Sequence, residues 1–414
     1  MSQDSNASIP SSHAAESFIE ALGGALHAYG CPAHRLEEAL GAVAWSLGVN
    51  GQFFSTPTGI FASFGGPPER TRLMRVEPGD VHLEKLSRLD GVLARVVNGV
   101  LGVREARAEL DEIVAAPPRY GAVLSTLSFA LVSGSAARFF GAGWREIAVT
   151  LVGGLVVGLW ALVAGRGPDT GRLFEPVGGL LMAFVATLAS VYISPLSAFI
   201  VTLSGLIVLV PGMTVTVAMT ELATRNLVSG SARLAGAVLT FLTIAFGVAL
   251  GGRLGAWVAT LLGQTVPDPA LPEALPGWTE VPALMMVALA FTVLFRAHPR
   301  DAPWILAAGT MALIGARLGS QILGPQLGAL LAALLVGVGS NAFARWSKRP
   351  AAVFQLPGLM LLVPGSIGFR GMASLLEEDI QAGVQAGFTM AIVAIALVTG
   401  LLMANVVMPP RRSL

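Results

Sequence analysis

Apolar positions fall into two regimes along the chain. Over 16–29, Phe18, Ile19, Leu22 and Leu26 recur at helical intervals, and Leu36, Leu40, Val43 and Leu47 repeat that spacing over 32–47. Pro32, after Gly30-Cys31, suits the first turn of the second helix. Short runs at 48–54, 59–64 and 72–76 are punctuated by Pro57, Gly65-Gly66-Pro67-Pro68 and Pro78-Gly79, which predicts strands joined by turns. Helical spacing returns over 81–98 and 103–115. These elements make a small α+β domain over 16–116, preceded by a polar, disordered tail at 1–15 and closed by Pro117-Pro118.

After the prolines the polar face disappears. Apolar stretches follow at 120–138, 146–164, 175–193, 197–222, 232–254, 281–296, 303–319, 322–343, 352–376 and 382–407. A bilayer takes about 20 apolar residues to cross as a helix. The stretches 281–296 and 303–319 are short for that, which points to tilting or homo-oligomerisation. The expected fold is an all-α polytopic membrane protein of about ten transmembrane helices behind the soluble module. A first five-helix repeat covers 117–263, an external linker 264–280 and a second five-helix repeat 281–408.

The repeat rests on a duplicated motif. Leu206-Ile207-Val208-Leu209-Val210-Pro211-Gly212 is echoed by Leu359-Met360-Leu361-Leu362-Val363-Pro364-Gly365, 153 residues later. Leu203/Leu356, Gly205/Gly358, Met219/Met372, Leu222/Leu375 and Gly230/Gly383 keep the same offset. Proline lacks the amide hydrogen and clashes with the carbonyl four residues back, so each motif breaks its helix. An odd number of spans per copy turns the second copy upside down. Broken helices at matching places of inverted repeats mark the binding site of a secondary transporter.

Composition agrees with the split. The chain is 54% hydrophobic and 12% charged, with mean hydropathy +0.71, against about 25% charged in soluble domains. Net charge is +1, and no basic patch is interleaved with aromatics, so no nucleic-acid partner is expected. The single cysteine, Cys31, excludes an intrachain disulfide. The polar N-terminus lacks the apolar core of a cleaved signal. With the soluble domain inside, most Lys and Arg of the membrane part fall in inner loops, and 264–280 has none, which predicts cytoplasmic N- and C-termini.

The breaks nominate the site. Pro211, Gly212, Pro364 and Gly365 free backbone groups in the bilayer interior, and the half-helices that follow present partly positive N-termini to an anionic solute. Thr214, Thr216, Thr220 and Ser366 offer hydroxyls to a polar ligand, or else bond their own helix. Arg370, within an apolar helix, is placed to meet a substrate carboxylate or Glu221 of the other repeat, or to snorkel outward near Glu377, Glu378 and Asp379. Glu221 takes a proton or an ammonium group, or pairs with Arg225 four residues on. Asn341 and Asn405 read as interface anchors, and Glu175 as a helix start. His27, Cys31 and His34 have helical spacing, but Pro32 interrupts it, so no metal site is expected. Gly65-Gly66-Pro67-Pro68 lacks the Lys of a phosphate loop, so neither a nucleotide nor another cofactor is expected.

The long motif 356–372, Leu-Pro-Gly-Leu-Met-Leu-Leu-Val-Pro-Gly-Ser-Ile-Gly-Phe-Arg-Gly-Met, resembles the small module of the threonine/serine exporter family. Gly23-Gly24, the run Gly30 to Glu37, Leu47-Gly48-Val49 and Pro57-Thr58-Gly59-Ile60 resemble that family's soluble start, so the resemblance covers about 16–408. It implies a fused form, with both membrane modules in one chain, exporting threonine and serine across a bacterial inner membrane. The membrane potential or a proton gradient would drive it. Some split members are similar to dicarboxylate exporters, which leaves a succinate-like substrate as an alternative. A third reading is a membrane-anchored hydrolase or sensor that uses the soluble domain. It has Ser46, Ser55, Ser63, Cys31, His27, His34 and His82 available, but no nucleophile elbow joins them, so an enzyme is not expected.

Overall fold

The computed structural model describes residues 12–65, 70–77, 79–376 and 378–410. The soluble domain opens with α1 (Ser12–Ala28) and α2 (Ala33–Ser46). Thus α1 starts four residues before the expected start of the domain at 16, and Ala15 and Phe18 are already buried; residues 1–11 lie outside the described residues. Strands β1 (Gly51–Thr56), β2 (Gly59–Phe64) and β3 (Arg70–Arg75) form an antiparallel meander in the order β1-β2-β3. Ile60, Ala62 and Phe64 of β2 turn inward onto α1 and α2, where Phe18, Ile19, Leu22, Leu36 and Leu40 are fully buried. Helices α3 (Leu83–Val97) and α4 (Val103–Ala115) close the core through Leu89, Val92, Leu110 and Ile113. Burying one such side chain contributes about 1.5–3 kcal/mol.

The membrane part runs α5 (Ala122–Phe139), α6 (Trp144–Ala164), the single turn α7 (Pro168–Gly171), α8 (Phe174–Tyr192), α9 (Ala198–Gly205), α10 (Gly212–Ala223) and α11 (Leu227–Leu261). It continues with α12 (Glu280–Leu294), α13 (Ala302–Leu323), α14 (Gly328–Ser347), α15 (Ala352–Met360), α16 (Gly365–Leu376) and α17 (Ile380–Val407). Among the described residues, nine segments are long and apolar enough to cross a membrane, counting Ala352–Leu375 as one. That corrects the expected ten. The segment 197–222 is not among them: it is divided into α9 and α10, of 8 and 12 residues, with six residues between them.

Two faces can be told apart. On one, the soluble domain docks: the Leu83 amide donates to Phe295 O (2.9 Å), the Glu84 amide to Arg296 O (3.2 Å) and the Tyr120 hydroxyl to Ala297 O (2.6 Å). On the far face, Arg138 at the end of α5 donates to Thr279 Oγ1 (2.5 Å), and Glu273 lies beside Gly143. So α5 runs away from the domain and its neighbour α12 runs towards it.

Matching elements make matching contacts. α8 packs on α11 as α14 packs on α17, and α10 on α11 as α16 on α17. A Cβ added to Gly230 would lie 2.7 Å from Leu222 Cγ. One added to Gly383 would meet the same atom of Leu375, so both pairs keep the 153-residue offset.

Candidate functional site

Both motif prolines stand immediately before a half-helix: Pro211 caps the start of α10, six residues after α9 ends at Gly205, and Pro364 directly precedes α16. α9 starts at the far face, where the Ser197 amide donates to Glu146 Oε1 at the start of α6 (3.0 Å). α10 then leaves the break for the domain face. α15 starts near α3 of the domain, and α16 leaves its break in the opposite sense. The two breaks meet. A Cβ on Gly212 would sit 2.9 Å from Gly365 N and 3.0 Å from Gly365 Cα, and one on Gly365 would sit 2.7 Å from Val210 Cγ1. Only glycine allows this approach. The positive ends of α10 and α16 therefore start side by side.

A cavity of about 300 Å³ lies against the second break. Met360 to Val363 and Ser366 form its inner end, with Ile207 from the first break. Val132, Val287, Phe291 and Leu313 are among its apolar walls. At the far-face end stand Glu280 and Arg317, which pair with each other. Glu280 also faces Arg138 at 3.5 Å, and Arg138 is tied to Pro276 O (3.3 Å) as well as Thr279. On α12 the lining runs from Glu280 to Phe291, about 17 Å at the rise of an α-helix. Glu280, Arg317 and Ser366 are the only polar side chains among the lining residues.

The other nominated residues sit elsewhere. Thr216 donates to Gly212 O (3.1 Å) and Thr220 to Thr216 O (2.9 Å), so both hydroxyls bond their own helix. Thr214 is half-buried in the first turn of α10. Arg370 lies over the Phe199 ring, 5.9 Å from its centroid, and pairs with no carboxylate among the described residues; its expected meeting with Glu221 is not made. That helix runs to the far side, away from Glu221.

Glu221 is fully buried at the domain face, and its partner is not Arg225. Arg225 has φ +66° beyond the end of α10, so the i+4 geometry is lost. Instead Arg233 of α11 grips Glu221 with two bonds (3.0 and 3.1 Å), and Ser229 Oγ donates at 3.1 Å. The Ala33 amide, in the first turn of α2, donates to Glu221 Oε1 (3.2 Å). The soluble domain thus caps a membrane carboxylate with a helix N-terminus. Around it, burial and then Arg35 push His34 down to about 4, against an upward pull from Glu221. Burial and Glu221 raise Glu37, although the Ser55 amide bonds it and pulls it down. Cys31 is buried, its thiol pushed up to about 12, and His27 bonds Thr56 O, so neither points to a shared ligand.

Sequence spacing did not single out Glu280, Arg317, Arg138, Ser229 or Arg233. The signal was present for Arg317, a charge within the span Pro299–Leu323.

Residues 17–255 match the family model described as a threonine/serine exporter, and residues 280–407 match a second, "Threonine/Serine exporter, ThrE". The chain is 27% identical over 371 residues to "Pheromone-regulated membrane protein 10" of Pichia sorbitophila, covering 87% of this chain and 37% of that protein. It is also 27% identical over 380 residues to the protein of that name from Saccharomyces cerevisiae, covering 90% of this chain and 48% of the relative. The chain therefore spans less than half the length of these relatives. No solved structure matches it.

Proposed function

The chain belongs to the threonine/serine exporter family, and from that premise we propose that it is a secondary active exporter of small hydrophilic amino acids, threonine and serine, working by alternating access. One observation carries the reading: the two Val-Pro-Gly breaks meet backbone to backbone beside a cavity of about 300 Å³. Backbone freed within a bilayer is tolerated where it lines a cavity or is buried in protein. Two helix N-termini at one point lend the inner end of the cavity partial positive charge.

In this reading each half is a five-segment repeat, the second inverted on the first. The antiparallel course of α5 and α12, the opposed courses of the two broken spans and the matched Gly230–Leu222 and Gly383–Leu375 contacts support it. Rocking of one repeat against the other about Gly212 and Gly365 would expose the cavity to either side. The soluble domain, with both termini, lies inside the cytoplasmic membrane of a bacterium. Five of the inner-face arginines, Arg225, Arg233, Arg296, Arg300 and Arg349, belong to loops or helix ends of the docking face, as the positive-inside bias requires.

A second reading has its own observation. At the far end of the cavity two guanidiniums, Arg138 and Arg317, surround one carboxylate, Glu280. The surplus positive charge suits a dicarboxylate. Proteoliposomes preloaded with unlabelled solute separate the two. Uptake of labelled threonine against internal threonine or serine supports the amino-acid exporter, and exchange confined to succinate supports the dicarboxylate reading. No exchange of any of the three, with or without a pH gradient, defeats both.

A further inference from the structure

We infer that Glu280 and Arg317 are the substrate's two charged contacts: their mutual ion pair opens to take the ammonium and the carboxylate of one zwitterionic amino acid. The assignment rests on reading the chain as an amino-acid exporter. The cavity offers one carboxylate, one guanidinium and one hydroxyl among apolar walls. An amino acid carries the complement of the two charges, which stand together at the far-face end. Its ammonium and carboxylate are a few bonds apart, so they reach two protein charges that now touch each other.

The two arginines at this mouth are held differently. Arg138 is tied to Thr279 and Pro276 as well as Glu280, and its side chain is 11% exposed. It fixes the carboxylate from α5. Arg317, 57% exposed, has Glu280 as its sole side-chain partner among the described residues. It can swing away without breaking another bond. An exposed ion pair contributes only about 0–1 kcal/mol, so little opposes its replacement. The replacement forms two charge-assisted contacts. A solute with an ammonium alone leaves Arg317 without a carboxylate, and one with a carboxylate alone leaves Glu280 with Arg138 only. A cavity of about 300 Å³ is also at the small end of ligand sites, which suits a solute of a few heavy atoms.

The test is equilibrium binding to the full chain in detergent, with three ligands. Threonine has both charges, threonine methyl ester lacks the carboxylate, and 2,3-dihydroxybutanoate lacks the ammonium. Glu280→Gln weakens threonine and the ester by about tenfold or more and spares the dihydroxy acid. Arg317→Gln weakens threonine and the dihydroxy acid and spares the ester. A pair that only holds α12 and α13 together lowers all three ligands alike in both variants, and that result overturns the assignment. If a single variant does not assemble, the charge-preserving double variant Glu280→Asp with Arg317→Lys still binds threonine, because both charges remain and the carboxylate stays opposite Arg138. Loss of binding by this double variant at an unchanged melting temperature overturns the assignment too. Wild-type protein that binds no threonine defeats the exporter reading itself, whereas wild-type binding with unaffected variants defeats the assignment alone.

Discussion

Gly212 and Gly365 meet backbone to backbone, although 153 residues separate them. A methyl group on either would fall within 3.0 Å of the other break's backbone or of Val210. Gly212→Ala and Gly365→Ala are each expected to destabilise the protein by about 1–3 kcal/mol, as overpacking does. Both should also lower threonine counterflow. Because one contact is shared, the double variant should cost less than the sum of the singles. Melting temperatures of the three purified variants check this.

The duplicated motif was legible because proline and glycine leave marks that no packing erases. Pro211-Gly212 and Pro364-Gly365, Gly230 and Gly383 could be aligned from the chain alone, and each holds the same place in its half. Several helix ends were not legible: 232–254 is the longer α11, and the expected boundary at 319–322 lies inside α13, which runs to Leu323 before α14 starts at Gly328. The partners of the buried charges were not. Glu221 and Arg233 are joined across a turn whose left-handed Arg225 the spacing did not reveal, and Ala33 reaches Glu221 from another domain. Glu280 begins α12, where a charge is ordinarily interfacial, so its pairing with Arg317, which stands within α13, could not be read from spacing. Thr216 and Thr220 look like ligand groups until the carbonyl each one bonds is known.

Ala33→Pro tests the capping of Glu221. Proline is tolerated at the first position of a helix, and Pro32 already has the extended backbone (ψ 152°) that a residue before proline prefers. The substitution therefore removes the donor and leaves α2 intact. The soluble domain is expected to dock more weakly, which limited proteolysis near residues 117–119 reads as faster cleavage.

Breaking the other side of that cluster is costlier. Glu221→Ala leaves Arg233 and the Ser229 hydroxyl without their carboxylate, and losing one partner of a buried pair costs about 3–5 kcal/mol. Glu221→Gln, which keeps one acceptor, should be milder. Thermal unfolding of the two variants in one detergent ranks them.

The docking region is also acid-sensitive. Burial holds His34 and His82 each at about 4, well below the ordinary histidine value of 6.5. Arg35 adds to this at His34, and Arg296 and Lys85 at His82, while Glu221 and Glu84 respectively oppose it. Both rings are neutral when folded, and the unfolded chain binds protons first. Their contribution is complete above pH 6.5 and is lost as pH falls from there to about 4. The loss is on the order of 3 kcal/mol for His34 and smaller for His82, whose charge solvent screens more. Melting temperature against pH should fall through this window, and His34→Gln should flatten the fall.

The most direct test of a transport site at the paired breaks places a single thiol at Ser366, by Ser366→Cys in a Cys31→Ala background. The account predicts that a membrane-impermeant maleimide modifies the introduced thiol from the face opposite the soluble domain, and that threonine or serine, but not leucine, slows the reaction. A thiol that is unreactive from both faces, or modified at a rate indifferent to threonine, would contradict it.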